Sequence, residues 1–289
     1  MRALFTGASS PLGAGVLRRL LDADAYAEVW CGVHRRDVPV SHPKLRPVAL
    51  RLGGDGLTLD DIPAPLDDVI HFAGVTHARD EQLYRDVNER GTLRLAEAAR
   101  ARGCRRFAYV STRCATPGSG AYGESKLAAE RGLLSLDWDG LLILRPSEIY
   151  GGGGQEGVDK FIGLARRLRV VPLLFGHRGL RFAPLRADDF VAGVGALLAE
   201  RRDGVHVVDF CGPEDLSGAE LALRIARRER ALPVPVWWPA LSLALGALRS
   251  LGFGPVAPDQ AERLVGRKTA SRSTPDPALD RPLARFMRD

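Results

Sequence analysis

The sequence predicts an α/β fold: a Rossmann-type, doubly wound parallel sheet covered by helices, with a smaller mixed α/β lobe toward the C-terminal side. Three observations predict it. Short apolar strands alternate with helical patterns from Arg2 to Leu144. A glycine-bearing loop, Thr6-Gly7-Ala8-Ser9-Ser10-Pro11-Leu12-Gly13, joins the first strand to the first helix. After Arg145-Pro146 the rhythm changes, and the glycine run Gly151 to Gly154 opens a stretch of short elements richer in proline.

Element by element, Arg2 to Thr6 reads as the first strand and Leu12 to Leu21 as the helix after it. Glu28 to Val33 and Pro47 to Leu52 read as the second and third strands, and Val69 to Phe72 as a short fourth ending at Ala73-Gly74. Leu83 to Ala101 carries Leu93, Leu95 and Ala98 in a partly amphipathic helix. Phe107 to Ser111 is a fifth strand, Tyr122 to Leu134 a helix, and Leu141 to Leu144 a sixth strand. This divides the chain into a dinucleotide-binding unit over 1–150 and a mostly substrate-binding lobe over 151–289, with Val205 to Phe210 a candidate to rejoin the main sheet. The segment from Arg267, with Pro275, Pro277 and Pro282, carries no readable pattern.

Composition excludes several classes. A chain of 289 residues with 45% hydrophobic content buries a sizeable core. Cys31, Cys104, Cys114 and Cys211 have neither disulfide-frame nor metal-ligand spacing, and no leader-like start is present, so a reducing, cytoplasmic setting without a metal is expected. The net charge of +6 comes from scattered arginines, with only four lysines among the 41 basic residues. No basic block or interleaved aromatic stripe marks a nucleic-acid surface. The segment WWPALSLALGALRSLGF, 237–253, is shorter than the ~20 residues of a bilayer span and contains Pro239 and Arg249. Peripheral membrane contact through its two tryptophans is the most it supports.

The glycine loop has the placement a pyrophosphate needs. Gly7 supplies a tight turn, Gly13 lets helix approach strand, and the helix N-terminus faces the anion. The second strand runs out through His34-Arg35-Arg36, with Asp37 later than a ribose-binding acid belongs. Two guanidiniums suit a 2′-phosphate, so NADP(H) is favoured and NAD(H) remains open. Downstream, Tyr122 and Lys126 stand four apart on one helix. Such a tyrosine exchanges a proton with a substrate carbonyl or alcohol, while the ammonium lowers its pKa and reaches the nicotinamide ribose. A third hydroxyl is expected from Ser111-Thr112, at the end of the preceding strand.

With these motifs in this order, the chain resembles the extended short-chain dehydrogenase/reductase family, the NAD(P)-dependent epimerase/dehydratase group acting largely on nucleotide sugars. The matching pieces also include His71-Phe72-Ala73-Gly74, Val87-Asn88-Glu89-Arg90-Gly91-Thr92 and Arg145-Pro146-Ser147-Glu148-Ile149-Tyr150-Gly151. The resemblance implies that Ser9, Ser10, Pro11 and Leu12 complete the pyrophosphate loop. Phe72, Ala73 and Gly74 would line the cofactor, Asn88 would support the active-site helix, and Pro146 and Ser147 would lie by the nicotinamide amide. Thr112 aligns with the family's hydroxyl, and Arg181, in Gly179-Leu180-Arg181-Phe182, matches an arginine that contacts a sugar-nucleotide diphosphate. Relatives often dimerise through the tyrosine-bearing helix, where Ala128 and Ala129 permit close packing.

Departures narrow the reading. Ser10 replaces the middle glycine of the loop, and Arg51-Leu52 replaces an acid near the adenine. Arg113-Cys114 stands where dehydratases of the group carry Asp-Glu, leaving Arg113 toward substrate and no carboxylate for water elimination. The expectation is a reductase of a nucleotide-linked keto sugar. A nucleotide-sugar epimerase that retains its cofactor is the alternative, and a non-catalytic dinucleotide-binding sensor or assembly subunit is the reading from a different class.

Overall fold

The computed structural model describes residues 1–78, 80–153, 157–176, 180–241, 243, 268 and 282–287. Seven parallel strands form the main sheet: β1 (Arg2–Thr6), β2 (Glu28–Val33), β3 (Leu45–Ala49), β4 (Asp68–His71), β5 (Arg106–Val110), β6 (Gly140–Pro146) and β11 (Gly204–Phe210). Their order is β11-β6-β5-β4-β1-β2-β3. The order reverses between β1 and β4, so the crevice for a ligand opens at the carboxyl ends of those two strands, where Thr6 registers with His71. The late strand β11 completes the sheet beside β6, in register from Gly204 with Gly140 to Phe210 with Pro146.

The third strand starts two residues earlier than the sequence pattern suggests. Leu45 pairs with Val29, and after Ala49 the chain turns Leu50 and Leu52 inward, where both are buried. Their apolar alternation reads as strand, but their burial comes from capping the sheet edge.

Helices cover both faces. On one side lie α1 (Pro11–Asp22) and α6 (Ala187–Glu200), packed on each other and on a core that includes Phe5, Val29, Phe190 and Phe210. On the other lie α2 (Gln82–Tyr84), a π-helical stretch over Arg85–Gly91, α3 (Thr92–Ala101) and α4 (Gly120–Leu134). These enclose Leu95, Phe107, Trp138 and Ala129. Ala129 is therefore committed to an internal contact, whereas Ala128 is half-buried.

The remaining elements build a second cluster. β7 (Ile149–Tyr150) pairs with β10 (Leu185–Arg186), β9 (Arg181–Phe182) with β12 (Leu216–Ser217), and β8 (Val170–Phe175) with β13 (Leu232–Trp237). Helices α5 (Gly157–Leu168) and α7 (Gly218–Glu229) pack on β8 around Ile162, Ile225 and Phe286. Ser217 opens α7 with a reciprocal capping box, its hydroxyl accepting from Glu220 N while Glu220 accepts from Ser217 N. Among the described residues no helix is long and apolar enough to cross a membrane. Most of the tryptophan-containing segment 237–253, Gly154, Gly179 and nearly all of the stretch from Arg267 lie outside the described residues.

Candidate active site

The glycine loop folds as its chemistry requires. Gly7 adopts φ +85°, and a Cβ there would lie 2.6 Å from Ala73 N and Phe72 C. A Cβ on Gly13 would sit 2.3 Å from Gly7 O. Only glycine fits either place. Ser10 takes the N-cap of α1, accepting from Gly13 N at 3.1 Å and donating to Gly7 O at 3.0 Å, with Pro11 at the first helical position. The residue that replaces the usual middle glycine thus builds the turn. Ser9, Ser10 and Pro11 are exposed, Leu12 is half-buried, and the first turn holds no acid. An exposed helix N-terminus bordered by bare backbone fits a pyrophosphate, so the residues present suit a bound dinucleotide.

Along the same crevice, Phe72 stacks on Phe5 with centroids 5.2 Å apart, which sets the wall for Ala73 and exposed Gly74. A Cβ on Gly74 would meet Asn88 Oδ1 at 3.0 Å and Lys126 Nζ at 3.3 Å, so the Phe72–Gly74 segment and helix α4 touch here. His34, Arg35 and Arg36 are exposed bends after β2. Leu52 is buried at the far end, its carbonyl accepting from Arg94 at 3.3 Å.

Tyr122, Ser125 and Lys126 occupy the buried face of α4. The ring of Tyr122 packs edge-on against Tyr84, with centroids 5.8 Å apart, and Tyr122 retains 8% exposure. Lys126 Nζ donates to Val110 O at 2.9 Å and lies 4.7 Å from the Tyr109 ring centroid. Burial pulls its pKa down from the usual lysine range to about 8, opposed by the carboxylate of Glu130. Thr112, half-buried, accepts from Cys114 N at 3.2 Å. The neighbouring Ser111 turns the other way and donates to Glu130, so of the two hydroxyls at this strand end Ser111 is committed to the interior. Arg145 forks the same carboxylate, from Nε at 3.0 and 3.1 Å.

A chain of hydrogen bonds runs beneath these groups. Ala73 N donates to Thr6 Oγ1 at 3.2 Å, Thr6 Oγ1 lies 2.6 Å from His71 Nδ1, and His71 Nε2 lies 3.0 Å from Thr92 Oγ1, which donates to Asn88 O. Every donor is used once if Nδ1 accepts and Nε2 carries the proton. Burial pushes His71 down to about 3, with Lys126 adding to the shift, so the ring stays neutral. Asn88 then grips Val75 through both N and O and donates to Ser125 Oγ at 3.3 Å. Asn88 lies in the π-helical stretch, whose wider turn leaves room for these side-chain contacts.

The end facing the second cluster is charged and enclosed. Pro146 is buried, Ser147 donates to Ala183 O, and Glu148 accepts from Ala183 N at 3.0 Å. Arg113, 3% exposed, lies 3.5 Å from Glu148, and Lys268 donates to the other Glu148 oxygen at 2.7 Å. Burial alone would raise the Glu148 pKa, but Lys268 and Arg113 outweigh it and hold the carboxyl below its usual range. Arg181 points elsewhere: its Nε and Nη2 engage Asp215 at 3.1 and 2.8 Å. No group of His, Cys, Asp and Glu among the described residues suits a metal.

Sequence reasoning missed His71, Glu130, Glu148 and Lys268 as parts of this site. Glu130 was within reach, since it continues the four-residue spacing Tyr122, Lys126, Glu130 on one helix face. Lys268 was not, because its segment carries no pattern.

Comparison with known proteins agrees with this architecture. A ceramide reductase from Caulobacter vibrioides is 31% identical over 245 residues, covering 80% of this chain and 73% of the relative. A UDP-glucose 4-epimerase from Vibrio cholerae is 28% identical over 218 residues, covering 64% and 66%. DesIV, a dTDP-glucose 4,6-dehydratase from Streptomyces venezuelae solved with NAD and TYD bound, superposes with a TM-score of 0.67 at 22% identity, over 82% of this chain and 84% of that one. The UDP-glucuronic acid 4-epimerase of Bacillus cereus, solved with NAD, gives 0.66 at 18% identity, over 92% and 94%. The NAD dependent epimerase/dehydratase family model matches residues 3–211, nearly all of the main sheet together with the glycine loop and the Tyr122–Lys126 pair. The chain belongs to that family, and it is an NAD-dependent enzyme of the oxidoreductase type.

Proposed function

We propose that the chain is an NAD(P)H-dependent ketone reductase in which Tyr122 donates the proton, Lys126 holds that tyrosine and the ribose in place, and Thr112 shares the substrate oxygen. The supporting observation is the buried Lys126 ammonium, fixed between Val110 O and the Tyr109 ring one helical turn from Tyr122 and against Gly74. A bound nicotinamide supplies or accepts the hydride. Tyr122 passes its hydroxyl proton to the oxygen that the reduction makes basic, and the adjacent cation stabilises the phenolate left behind. Arg113 stands where an eliminating enzyme needs a carboxylate and is closed into an ion pair with Glu148, which disfavours dehydration. His34, Arg35 and Arg36, exposed and without an acid before Asp37, support NADPH as the preferred reductant.

Two classes of molecule could carry the ketone. MoeE5, a structural relative solved with UDP-glucose and NAD, supports a nucleotide-linked keto sugar. The Arg181–Asp215 fork favours another: a guanidinium already neutralised is a poor grip for a diphosphate, and the ceramide reductase relative supports a lipid ketone of the ceramide class. Incubating purified protein with NADPH and each ketone, and measuring oxidised cofactor and reduced product by mass spectrometry, separates them. Tightly retained NAD+ with isomerised nucleotide sugar and no net NADPH consumption overturns the reductase reading in favour of an epimerase.

A further inference from the structure

The β8–β13 ribbon exposes apolar side chains on both of its faces. Leu232 and Val234 are 66% and 39% exposed, and at the far end the register partners Phe175 and Trp237 are 47% and 55% exposed. Alternation along β13 puts Leu232 and Val234 on the face opposite Trp237. Leu243, just beyond, is 76% exposed. β8 is packed by α5 and α7, which leaves β13 as the outer strand, and among the described residues the two strands pair only with each other.

The outer edge is unusual in its hydrogen bonding. Leu232 N donates inward to Arg169 O at 2.7 Å, so the alternate residues 233 and 235 turn their nitrogens outward. Both are prolines and have no N–H to offer. The edge therefore resists addition of another strand and leaves few donors needing water.

Charge concentrates in the same place. Residues 157–176 and 218–243 hold eight Arg and Lys against three Asp and Glu, most of the +6 excess of the whole chain. Arg167, Arg227, Arg228 and Arg230 are exposed at the helix ends beside Leu168 and Leu232. A second copy of the chain would bring the same charge, and a flat protein partner would cover one face. A bilayer bearing anionic headgroups covers both faces of a shallowly inserted ribbon and neutralises the arginines.

We propose that the β8–β13 ribbon is a docking edge for an anionic lipid bilayer, with Phe175, Leu232, Val234 and Trp237 entering the interfacial layer and the arginines of α5 and α7 meeting lipid phosphates. The apolar sequence that follows Trp237 to Phe253, with one charge at Arg249, continues the same character. This inference stands whichever ketone is reduced.

Co-sedimentation of the full chain with phosphatidylcholine vesicles, with and without phosphatidylglycerol, tests it. Binding is expected only with the anionic lipid and is expected to weaken with salt. Arg228→Glu and Arg230→Glu should each weaken it by about fivefold or more, and Trp237→Ser by roughly tenfold. Should the serine variant lose its fold, the charge reversals at exposed arginines give the answer alone. Unchanged dinucleotide binding by all three variants keeps this result separate from the fate of the reductase reading. Absence of binding to anionic vesicles at low salt, binding that the variants leave unchanged, or a dimer that the variants dissociate overturns the proposal.

Discussion

The hydroxyl of Thr6 lies 2.6 Å from Nδ1 of His71, and this contact links the glycine turn proposed to hold the cofactor to the helix that carries Tyr122, the proposed acid. From His71 the chain of hydrogen bonds passes through Thr92 and Asn88 to Ser125, whose hydroxyl donates to Tyr122 O at 2.7 Å. Each member is buried, so each bond omitted would leave a polar group unsatisfied in a low-dielectric interior. The relay ties the backbone of Ala73, on the proposed cofactor wall, to the backbone of Tyr122.

The relay gives a pH dependence with a definite sign. His71 is lowered to about 3 when folded, whereas an unfolded histidine titrates near 6.5. The unfolded state therefore binds the extra proton between those values, and stability is lost as pH falls from about 6.5 toward 3. Urea midpoints measured across that range should fall more steeply for the parent than for His71→Asn, which keeps a polar side chain but does not titrate. Parallel slopes would remove His71 as the cause.

Lys126 contributes in the opposite pH range. Its pKa is about 8 in the fold and the usual 10.5 outside it, so the burial penalty is felt below pH 8 and relieved as pH rises to 10.5. Activity should move the other way, declining above pH 8 as the charge that supports the Tyr122 phenolate is lost. A pH–rate profile with a basic limb near 8, shifted downward in Glu130→Gln, is the expected result.

Glu130→Gln should also cost stability. It leaves the part-buried Arg145 without its anion and loosens Ser111, for an expected loss of about 2–4 kcal/mol by urea denaturation. A loss below about 1 kcal/mol would show that the pair is dispensable.

Tyr122→Phe keeps the aromatic contact with Tyr84 and removes the proposed proton donor. Turnover should fall roughly 10²–10⁴-fold with dinucleotide affinity and melting temperature nearly unchanged. Full activity in that variant would dismiss the proposed acid.

Gly7→Ala should abolish dinucleotide binding, since an alanine at φ +85° costs about 1–2 kcal/mol before its methyl meets the Ala73 backbone. Arg35→Ala and Arg36→Ala, by contrast, are surface changes and should weaken NADPH binding about tenfold or more while sparing NADH. Titration calorimetry with both cofactors distinguishes these outcomes, and equal effects on the two would refute the 2′-phosphate assignment.

What the sequence by itself determined is local in origin. The alternating strands and helices, the Gly7–Gly13 loop and the Tyr122–Lys126 spacing are set by period, turn chemistry and capping within a few residues, and these place the family and single out the pair proposed to react. Only the tertiary structure decided which polar groups were free to act. Ser111 and Thr112 are adjacent letters, but Glu130, brought in from α4, claims Ser111 and leaves Thr112 at the site. Arg181 reads as a phosphate ligand until Asp215, 34 residues away, takes its guanidinium. Lys268, from a stretch with no pattern, closes on Glu148 across 120 residues. A buried charge takes whichever partner the fold brings within hydrogen-bonding distance, and that choice depends on packing between elements distant in the chain.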